Sequence, residues 1–501
     1  MGRNLTEPNK IAKQRRQILF SILALLVWIY VVIRAKVLAI TWDEGFSFNV
    51  TVQNKLFFPD HFDVSSANNH FLNSILMWIS WRLFGNGEFV LRIPSLIGCG
   101  IYLFFTLRFI GKLRTFPVAL FAFALLCMNP FILDFLGLAR GYGLAMAFTL
   151  GAIWYLYRYV NEEKQQWKLL SSLFFSALAL SANLSWTCFF IAHVLLILLL
   201  QFHELVIGKN KKAIFPLIIT LLFSIGMIAV AAWYEWQYTK SNALGYGTDD
   251  GVWNGTVSSL LDGFFYLRHY GYAFGTFMRI VIIVSLLLSV ITIVVHFQDE
   301  GWKNWDRSFI VVLMFLLVAV IVGLELLHYV LGVKYLYGRT ALSLLLIFVV
   351  LTAFTVDGLL SDTFKKILIS FPLLFLFIHF FFCLNFRFTY EWYKGADVKQ
   401  ALMTMQKDLL VRPEPRLHNV RMGCDLVFVS ALNYYDNVNH YSWLSETRFL
   451  PDSVDSDLRY FLVANDKFYL FDKKPEWKVM EMYPQNNAAL FYNTAYVSPS
   501  E

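Results

Sequence analysis

Residues 17–45 read QILFSILALLVWIYVVIRAKVLAITWDEG, an apolar run that ends in two adjacent carboxylates. A helix needs about 20 apolar residues to cross the hydrocarbon core of a bilayer, and residues 17–39 supply them. No small-residue cleavage site follows, so we expect a retained signal anchor. The side before the run is basic, which predicts a cytoplasmic N-terminus under the positive-inside rule; these charges are Lys10, Lys13, Arg15 and Arg16.

The composition of the whole chain is typical of a membrane protein. Of its 501 residues, 58% are hydrophobic and 15% are charged, and the mean hydropathy is +0.55. A soluble enzyme carries about a quarter charged residues and a disordered chain is far less apolar, so both classes are excluded. The net charge is +7. The five cysteines show no C-x-x-C spacing, which predicts neither a disulfide framework nor a cysteine metal site.

Eleven apolar stretches are candidate membrane spans. The loops predicted to face the cytoplasm are all basic, whereas the outer turns hold fewer Lys and Arg residues. An odd number of spans places the chain after residue 387 outside. The spans are 17–39, 89–110, 115–136, 142–160, 167–184, 186–203, 213–235, 274–297, 308–330, 339–357 and 365–386.

Two further stretches are assigned to the outer surface. Residues 70–84 are apolar but short and contain Arg82, which favours an interfacial helix on the outer leaflet. Residues 236–273 form a long outer loop in which one or two interfacial helices are expected. The predicted organisation is a cytoplasmic basic tail at 1–16, a transmembrane domain at 17–387 with a first outer loop at 40–88, and an extracytoplasmic domain at 388–501.

The tail beyond residue 388 has the composition of a small α/β domain. Residues 396–410 follow an amphipathic helical pattern. Short β-type runs separated by turn residues come after it. A chain of about 110 residues is long enough to bury one core. The runs are DLVFVS at 425–430, YFLVAND at 460–466, KFYLF at 467–471 and WKVMEMY at 477–483.

The acidic pair Asp43-Glu44 is the strongest candidate for chemistry. Two adjacent carboxylates at a lipid–water boundary are costly, because like charges and partial desolvation both disfavour ionisation. A solvated loop that ends the first helix is the alternative interpretation.

Motifs downstream of the pair favour a functional site. SANNHFL at 66–72 leads into the interfacial helix, and LFG at 83–85 ends it. GEFVLRIPS at 87–95 opens the second span, and LARGY at 138–142 lies in an outer turn after Asn129-Pro130. In their order and spacing these motifs resemble the GT-C glycosyltransferases of the protein O-mannosyltransferase and aminoarabinose transferase type. The resemblance covers roughly residues 15–160, with a weaker similarity at YLYGR, 335–339.

The resemblance implies a GT-C fold and an enzyme that takes a sugar from a polyprenyl-phosphate carrier to an acceptor on the outer face. Asp43 matches the catalytic carboxylate and would be the base toward the acceptor hydroxyl, and Glu44 would orient the site or bind a cation or the acceptor. His70, which opens the interfacial helix, has a capping or interfacial role as its alternative. Arg140 and Arg339 would hold the carrier phosphate, and snorkelling to headgroups is their alternative. The remaining substrate-binding candidates are Asn69, Asp134, Tyr142 and Lys334.

One position departs from the family pattern. Relatives often carry an acidic residue where this chain has Leu138, and Asp134 lies four residues earlier on the same helical face. The departure leaves a divalent cation, the one cofactor that the resemblance raises, without an assigned site. The partners implied are the lipid-linked sugar donor, the bilayer, and a protein, lipid or glycan acceptor; no nucleic acid is expected.

Physical chemistry agrees with a lipid-borne donor. Nucleotide sugars are kept in the cytoplasm, so an outward-facing catalyst needs a carrier that has crossed the membrane. A phosphate leaving group needs fixed positive charge, and the acceptor hydroxyl needs a base. A multi-pass plasma (inner) membrane location is expected.

Two other functional classes remain open. A transporter or flippase of lipid-linked sugars would have binding groups near the bilayer midplane. A polymerase or ligase of lipid-linked glycans would use the 236–273 loop, whose polar residues are Asp249, Asp250, Asp262, Arg268 and His269.

Overall fold

The structure is a computed structural model that describes residues 7–58, 68–241, 245–359, 362–411 and 420–496. Ser66 and Ala67 of the predicted first outer loop and the first six residues of the predicted basic tail lie outside the described residues.

Seventeen α-helices and five strands are present in the described part of the chain. The helices are α1 Glu7–Val37, α2 Trp42–Phe46, α3 Phe71–Phe84, α4 Glu88–Ile110, α5 Phe116–Cys127, α6 Pro130–Gly137, α7 Tyr142–Asn161, α8 Gln166–Ala182, α9 Thr187–Val206, α10 Ile214–Lys240, α11 Ser258–Phe265, α12 Gly271–Glu300, α13 Phe309–Leu331, α14 Leu342–Leu359, α15 Asp362–Cys383, α16 Val398–Val411 and α17 Leu426–Asn439. The strands are β1 Val420–Cys424, β2 Leu444–Phe449, β3 Tyr460–Ala464, β4 Trp477–Tyr483 and β5 Ala488–Asn493.

The polytopic α-helical class predicted from the sequence is confirmed. Every predicted span coincides with helix in the structure. Among the described residues, 7 helical segments are long and apolar enough to cross a membrane, or up to 8 if the bent pair α5–α6 is one span. Helix α8, at the predicted span 167–184, has 17 residues, which is fewer than the about 20 that a helix needs to cross the hydrocarbon core. The count of eleven spans therefore stays a prediction.

The predicted span 115–136 is not one continuous helix. The chain bends by 53° between α5 and α6. The Asn129 side chain caps α6 by accepting the N–H groups of Phe131 and Ile132, and Pro130 occupies the first turn. Proline lacks an N–H and disfavours helix in the residue before it, so the break falls here.

Contacts divide the chain into two compact units. The first consists of residues 1–32, 58–73 and 94–384, and the second of residues 33–57, 74–93 and 385–501. The second unit thus combines the C-terminal tail with the segment that carries the acidic pair and with most of α3. The predicted boundary at 387/388 lies close to the start of its longest segment.

The tail of the second unit is the predicted α/β domain, built on a mixed sheet with strand order β2-β1-β3-β5-β4. Strand β1 pairs in parallel with β2 and β3, and β5 pairs antiparallel with β3 and β4. The predicted helix over 396–410 is confirmed as α16. Two of the four β-type runs, 460–466 and 477–483, contain β3 and β4.

The other two runs were predicted wrongly. Residues 425–430 begin helix α17, because the Asp425 carboxylate accepts the N–H of Leu426 and caps the helix. Residues 467–471 belong to a 3₁₀-helix, Asn465–Phe471. Both runs are apolar enough to be buried, and short apolar runs do not distinguish strand from helix.

Candidate functional site

The acidic pair lies in α2, a one-turn helix that caps itself. The Thr41 hydroxyl accepts the N–H of Glu44 at 3.3 Å. In return, the Glu44 carboxylate accepts the N–H of Thr41 at 3.0 Å and its hydroxyl at 3.1 Å. This reciprocal arrangement is a capping box, and it satisfies donors that a helix start otherwise leaves unpaired.

Glu44 also forms a bidentate ion pair with Arg92 in the first turns of α4. The Nε and Nη2 groups of Arg92 donate to the two carboxylate oxygens at 2.8 and 2.7 Å, and both side chains are 0% exposed. The other N–H groups of Arg92 donate to the carbonyls of Ala35, Leu38 and Ala39 at 2.8–3.0 Å. All five guanidinium donors are therefore used. The carboxylate of Glu44 is a fixed structural element of the site.

Asp43, the neighbouring carboxylate, is 5% exposed. The alternative of a solvated loop for the pair is therefore not supported, because both side chains are buried. The capping box and the ion pair between Glu44 and Arg92 fix the position of Asp43 in the first turn of α2. Both adjacent carboxylates are thus buried in the second unit.

Helix α17 of the same unit lies directly on α2. A Cβ atom at Gly45 would come within 2.6 Å of the carbonyl oxygen of Ser430, so only glycine fits there. The Tyr435 hydroxyl accepts the N–H of Ile40 at 3.0 Å and donates to Glu88. Burial, and after it the charge of Glu88, raise the pKa of the Tyr435 phenol, which stays a neutral donor. The C-terminal domain therefore supports the turn that carries Asp43.

A second cluster of predicted site residues lies in the first unit, around the turn between α6 and α7. The Arg140 side chain is 1% exposed and donates to the backbone carbonyl of Asn68 at 3.2 Å and to its side-chain oxygen. Asn73, in the first turn of α3, donates to the carbonyl of Ala139 at 3.1 Å. Snorkelling to headgroups does not describe a guanidinium that is this deeply buried.

His70 is buried beside this turn. Its ring meets that of Tyr142 edge-on, with centroids 5.3 Å apart. Neither ring nitrogen has a hydrogen-bond partner among the described residues. Burial, followed by the charges of Arg140 and Arg339, holds the pKa of His70 well below its usual range, so the imidazole is neutral near pH 7.

The close approach of the chain at Gly141 explains why His70 and the turn meet. A Cβ atom at Gly141 would lie 1.8 Å from the carbonyl oxygen of Ala182 and 3.0 Å from the Cβ of His70. Any side chain at this position would push the end of α8 and His70 apart. The glycine of the LARGY motif is therefore required by packing.

Arg339 joins the cluster through Tyr142. Its Nε donates to the Tyr142 hydroxyl at 3.2 Å, and its guanidinium lies 4.3 Å from the ring centroid of Tyr246. A guanidinium over an aromatic face is held by cation–π attraction, and its planar fork suits an oxyanion. Lys334, five residues earlier, is exposed.

The predicted outer loop forms hydrogen bonds with the segment that precedes Arg339. Three contacts join the loop to this segment within the first unit. They are the paired backbones of Thr248 and Tyr335 at 3.1 and 2.9 Å, the Thr256 hydroxyl to the Leu336 carbonyl at 2.7 Å, and the Gly338 N–H to the Ser259 hydroxyl at 2.8 Å. The loop therefore helps to fix the backbone between Lys334 and Arg339.

The two remaining candidates are buried, and their roles stay predictions. Asn69 is 6% exposed and Asp134 is 3% exposed. Asp134 accepts a hydrogen bond from the Tyr266 hydroxyl at 2.9 Å. In the described part of the chain, no three His, Cys, Asp or Glu side chains form a group that could hold a metal ion. The residues present therefore assign no site to the divalent cation.

The structure groups the predicted site residues in two sets. Asp43 and Glu44 belong to the second unit, whereas His70, Arg140, Tyr142 and Arg339 converge in the first. Sequence reasoning assigned no role to Arg92, although it quoted the motif that contains it. A guanidinium inside an apolar helix needs acceptors for its five N–H donors. This requirement could have indicated that Arg92 has a buried carboxylate as its partner.

Comparisons with known proteins support the fold. No protein-family model matches the chain, and no curated protein matches it. The structure is similar to the crystal structure of ArnT from Cupriavidus metallidurans bound to undecaprenyl phosphate, with a TM-score of 0.51 and 10% identity over 97% of this chain and 99% of that chain. The apo structure of ArnT from the same source gives a TM-score of 0.48 and 12% identity over 96% and 99%. The similarity to the structure that holds undecaprenyl phosphate confirms the predicted GT-C fold.

Proposed function

We propose that this protein is an integral-membrane glycosyltransferase that moves a sugar from a polyprenyl-phosphate carrier to a hydroxyl of an acceptor. The fold shared with ArnT, whose structure holds undecaprenyl phosphate, supports this class of enzyme. The observation that carries the donor class is the convergence of Arg140 and Arg339 on the buried His70. Two positively charged guanidiniums near one uncharged imidazole create a positive electrostatic potential that favours the binding of a phosphate.

In this proposal, Arg140 and Arg339 hold the carrier phosphate. The guanidinium of Arg140 is buried, and it therefore acts in a low-dielectric environment, where its interaction with an anion is stronger than in water. Charge that develops on the departing phosphate is stabilised without reorganisation, because Asn68, Tyr142 and Tyr246 already fix both guanidiniums. Lys334, which is exposed, supplies a further positive charge that attracts the phosphate.

His70 contributes a neutral hydrogen-bonding group. Its imidazole carries one N–H donor and one acceptor nitrogen, and both are available to a ligand because no described residue bonds them. We assign the donor nitrogen to a phosphate oxygen. A neutral imidazole binds the phosphate through a hydrogen bond, and the two arginines supply the charge.

Asp43 is the proposed base. The acceptor oxygen forms a bond to the anomeric carbon, the bond from that carbon to the phosphate oxygen breaks with its electron pair, and the hydroxyl proton passes to the Asp43 carboxylate. One displacement inverts the anomeric configuration. Glu44 orients α2 through Thr41 and Arg92, which is the first of the roles considered for it.

The membrane side and the acceptor are part of the same proposal. The basic loops support an arrangement in which the Asp43 end of the first span lies outside the cytoplasm, where a lipid carrier is the available source of activated sugar. The proposal therefore includes a plasma (inner) membrane location and an extracytoplasmic C-terminal domain. Protein, lipid and glycan hydroxyls are all compatible acceptors.

The test separates donor binding from proton transfer. Wild type, Asp43→Asn and Arg339→Ala are purified in detergent, and their thermal midpoints are measured with polyprenyl phosphates and polyprenyl-phosphate sugars. A ligand that binds only the folded state raises the midpoint. We expect stabilisation in wild type and Asp43→Asn and its loss in Arg339→Ala.

Transfer to a panel of acceptors is then assayed, with Asp249→Asn in the exposed part of the outer loop as the matched carboxylate control. We expect Asp43→Asn to abolish transfer and Asp249→Asn to retain it. Full transfer by folded Asp43→Asn would refute the assignment of the base. Loss of transfer only in the loop variant would instead indicate a polymerase or ligase, and absence of stabilisation by every carrier would contradict the proposed donor class.

A further inference from the structure

A cavity of about 730 Å³ opens in the first unit at the helix ends that carry the basic loops. It lies between the beginning of α1, the ends of α4 and α7, and α8, whereas the Arg140 cluster lies at the opposite end of α7. Its lining combines cations, one carboxylate and aromatic rings. The residues are Lys13, Gln17, Phe104, Phe105, Leu107, Arg108, Gly111, Lys112, Trp154, Tyr155, Arg158, Glu162 and Phe175.

The charges of this cavity are unbalanced, with four cations against one carboxylate. Glu162 lies 3.0 Å from Arg158 and 3.7 Å from Lys112, and it also contacts Lys168 at 3.4 Å, so three cations share one negative charge. Arg108 forms no ion pair within the described residues, and its guanidinium lies 4.9 Å from the ring centroid of Phe104. An added anion would therefore meet uncompensated positive charge.

The walls of the cavity are apolar and continue toward the membrane interior. Phe104 is 48% exposed. A second, shallower cavity of about 320 Å³ shares Gln17 with the first and extends along α1 to Leu25. At a rise of about 1.5 Å per residue, this stretch of α1 is about 12 Å long. Exposed apolar side chains accompany it, among them Ile18, Ile22 and Leu25.

The cavity is formed by fixed elements. Arg16 of α1 donates to the carbonyls of Ile110 and Leu113, at the end of α4, at 2.7 and 3.0 Å. On the other wall, Gly151 of α7 lies so close to Phe105 and Phe175 that a Cβ atom there would come within 2.6–3.0 Å of their rings. The wall helices are therefore held together without a ligand, which lowers the entropic cost of binding.

We propose that this cavity binds an anionic phospholipid of the cytoplasmic leaflet. Arg108, Lys112 and Arg158 hold the headgroup phosphate, and an acyl chain lies in the groove along α1. Basic pockets between membrane helices on the cytoplasmic side suit anionic headgroups, and the aromatic rings match the boundary between headgroup and chain. A soluble phosphate would use the cations but would gain nothing from the apolar groove. Binding here does not depend on sugar transfer.

The experiment measures binding of defined lipids to the full chain in detergent. Thermal midpoints and native mass spectra are recorded with phosphatidylglycerol, phosphatidylcholine and glycerol 1-phosphate. The test variant is Arg108→Gln/Lys112→Gln. Its matched control is Lys211→Gln/Lys212→Gln, which removes two exposed cations from another basic loop outside the cavity.

For wild type and the control we expect stabilisation by phosphatidylglycerol and none by phosphatidylcholine. The test variant should bind phosphatidylglycerol about tenfold more weakly, because each basic residue near an anionic lipid surface contributes to its attraction. Equal stabilisation by glycerol 1-phosphate would overturn the lipid assignment in favour of a soluble phosphate. Equal losses in both variants would overturn the site.

If the test variant does not fold, the native mass spectrum of the wild-type protein tests the proposal. Retention of phosphatidylglycerol in preference to phosphatidylcholine, reduced by salt, is the expected result. Equal retention of the two lipids would refute a site that recognises charge.

Discussion

The carboxylate of Glu44 and the guanidinium of Arg92 meet in two parallel hydrogen bonds of 2.8 and 2.7 Å, with both side chains completely buried. Fork-to-fork geometry makes this the strongest type of ion pair available to two side chains. Because the same carboxylate caps α2, the pair connects the turn that holds Asp43 to the beginning of α4.

Breaking this pair should be far more costly than breaking an exposed one. Removal of one partner leaves a buried charge without compensation, so we expect Glu44→Gln to lower the free energy of unfolding by about 3–5 kcal/mol. The control is Glu446→Gln, which removes one of the carboxylate partners of Arg448, at 2.9 Å, where the side chains are 43% and 28% exposed. There the expected loss is about 0–1 kcal/mol. Denaturation in mixed micelles gives both values, and equal losses would contradict the structural role of Glu44.

The contact between α2 and α17 predicts a different outcome for two glycines. A methyl group at Gly45 would overlap the carbonyl of Ser430, whereas a Cβ atom at Gly87 meets nothing within 4 Å. Overpacking typically costs about 1–3 kcal/mol, so Gly45→Ala should destabilise the protein by that amount. Gly87→Ala should be nearly neutral. The transfer rate of Gly45→Ala should also fall, because α2 carries Asp43. Unchanged stability and rate would show that the C-terminal domain does not support the turn.

The buried imidazole of His70 predicts an acid-sensitive contribution to stability. Its pKa is lowered in the folded state, whereas the unfolded state has the usual value of about 6.5. Below that pH the unfolded state binds the extra proton, so this contribution is full above about pH 6.5 and falls as the pH decreases. His70→Gln should therefore lose less stability than wild type between pH 7.5 and 5.

Midpoints of wild type, His70→Gln and the exposed-histidine control His269→Gln across this range test the prediction. His269→Gln should follow wild type. Parallel pH curves for wild type and His70→Gln would show that His70 is not the source of the acid sensitivity.

Tyr142 orients the Arg339 guanidinium, which gives a prediction for donor affinity. Tyr142→Phe removes the hydroxyl that accepts from Arg339 Nε while keeping the ring against His70. A hydrogen bond to a charged group contributes about 1.5–3 kcal/mol, so affinity for a polyprenyl phosphate should fall about tenfold or more. Tyr272→Phe, at a side chain that is 88% exposed, is the control. Isothermal titration in detergent gives the affinities, and an unchanged value in Tyr142→Phe would remove Arg339 from the donor site.

Hydropathy located the helices of the membrane domain but not their interruptions. The run over 115–136 is apolar throughout, and the length rule therefore predicted one span. Asn129 and Pro130 hold the information about the bend, because an Asn cap and a proline begin a new helix. A rule based on the mean hydropathy of a long run gives these two residues too little weight to predict the bend.

The sequence motifs made Asp43, His70 and Arg140 candidate site residues, and their roles stay predictions. The side chains that contact the candidate residues were not predicted. The partner of Glu44 is 48 positions away, and nothing local in either segment specifies the pairing. Helix α17 was missed for a local reason, because an apolar run does not by itself distinguish strand from helix and the capping role of Asp425 was not considered.

The Arg92 contacts have a consequence for biogenesis. The carbonyls of Ala35, Leu38 and Ala39 at the end of the first helix receive their hydrogen bonds from a side chain made much later. Glu44 and Arg92 are 48 residues apart, which at roughly 5–20 residues per second is a delay of several seconds during synthesis. Until α4 leaves the ribosome, water or the translocation machinery must satisfy these groups. The acidic turn is thus completed only after α4 has been made, and a chain that stalls between α1 and α4 leaves these carbonyls and the Glu44 carboxylate without Arg92.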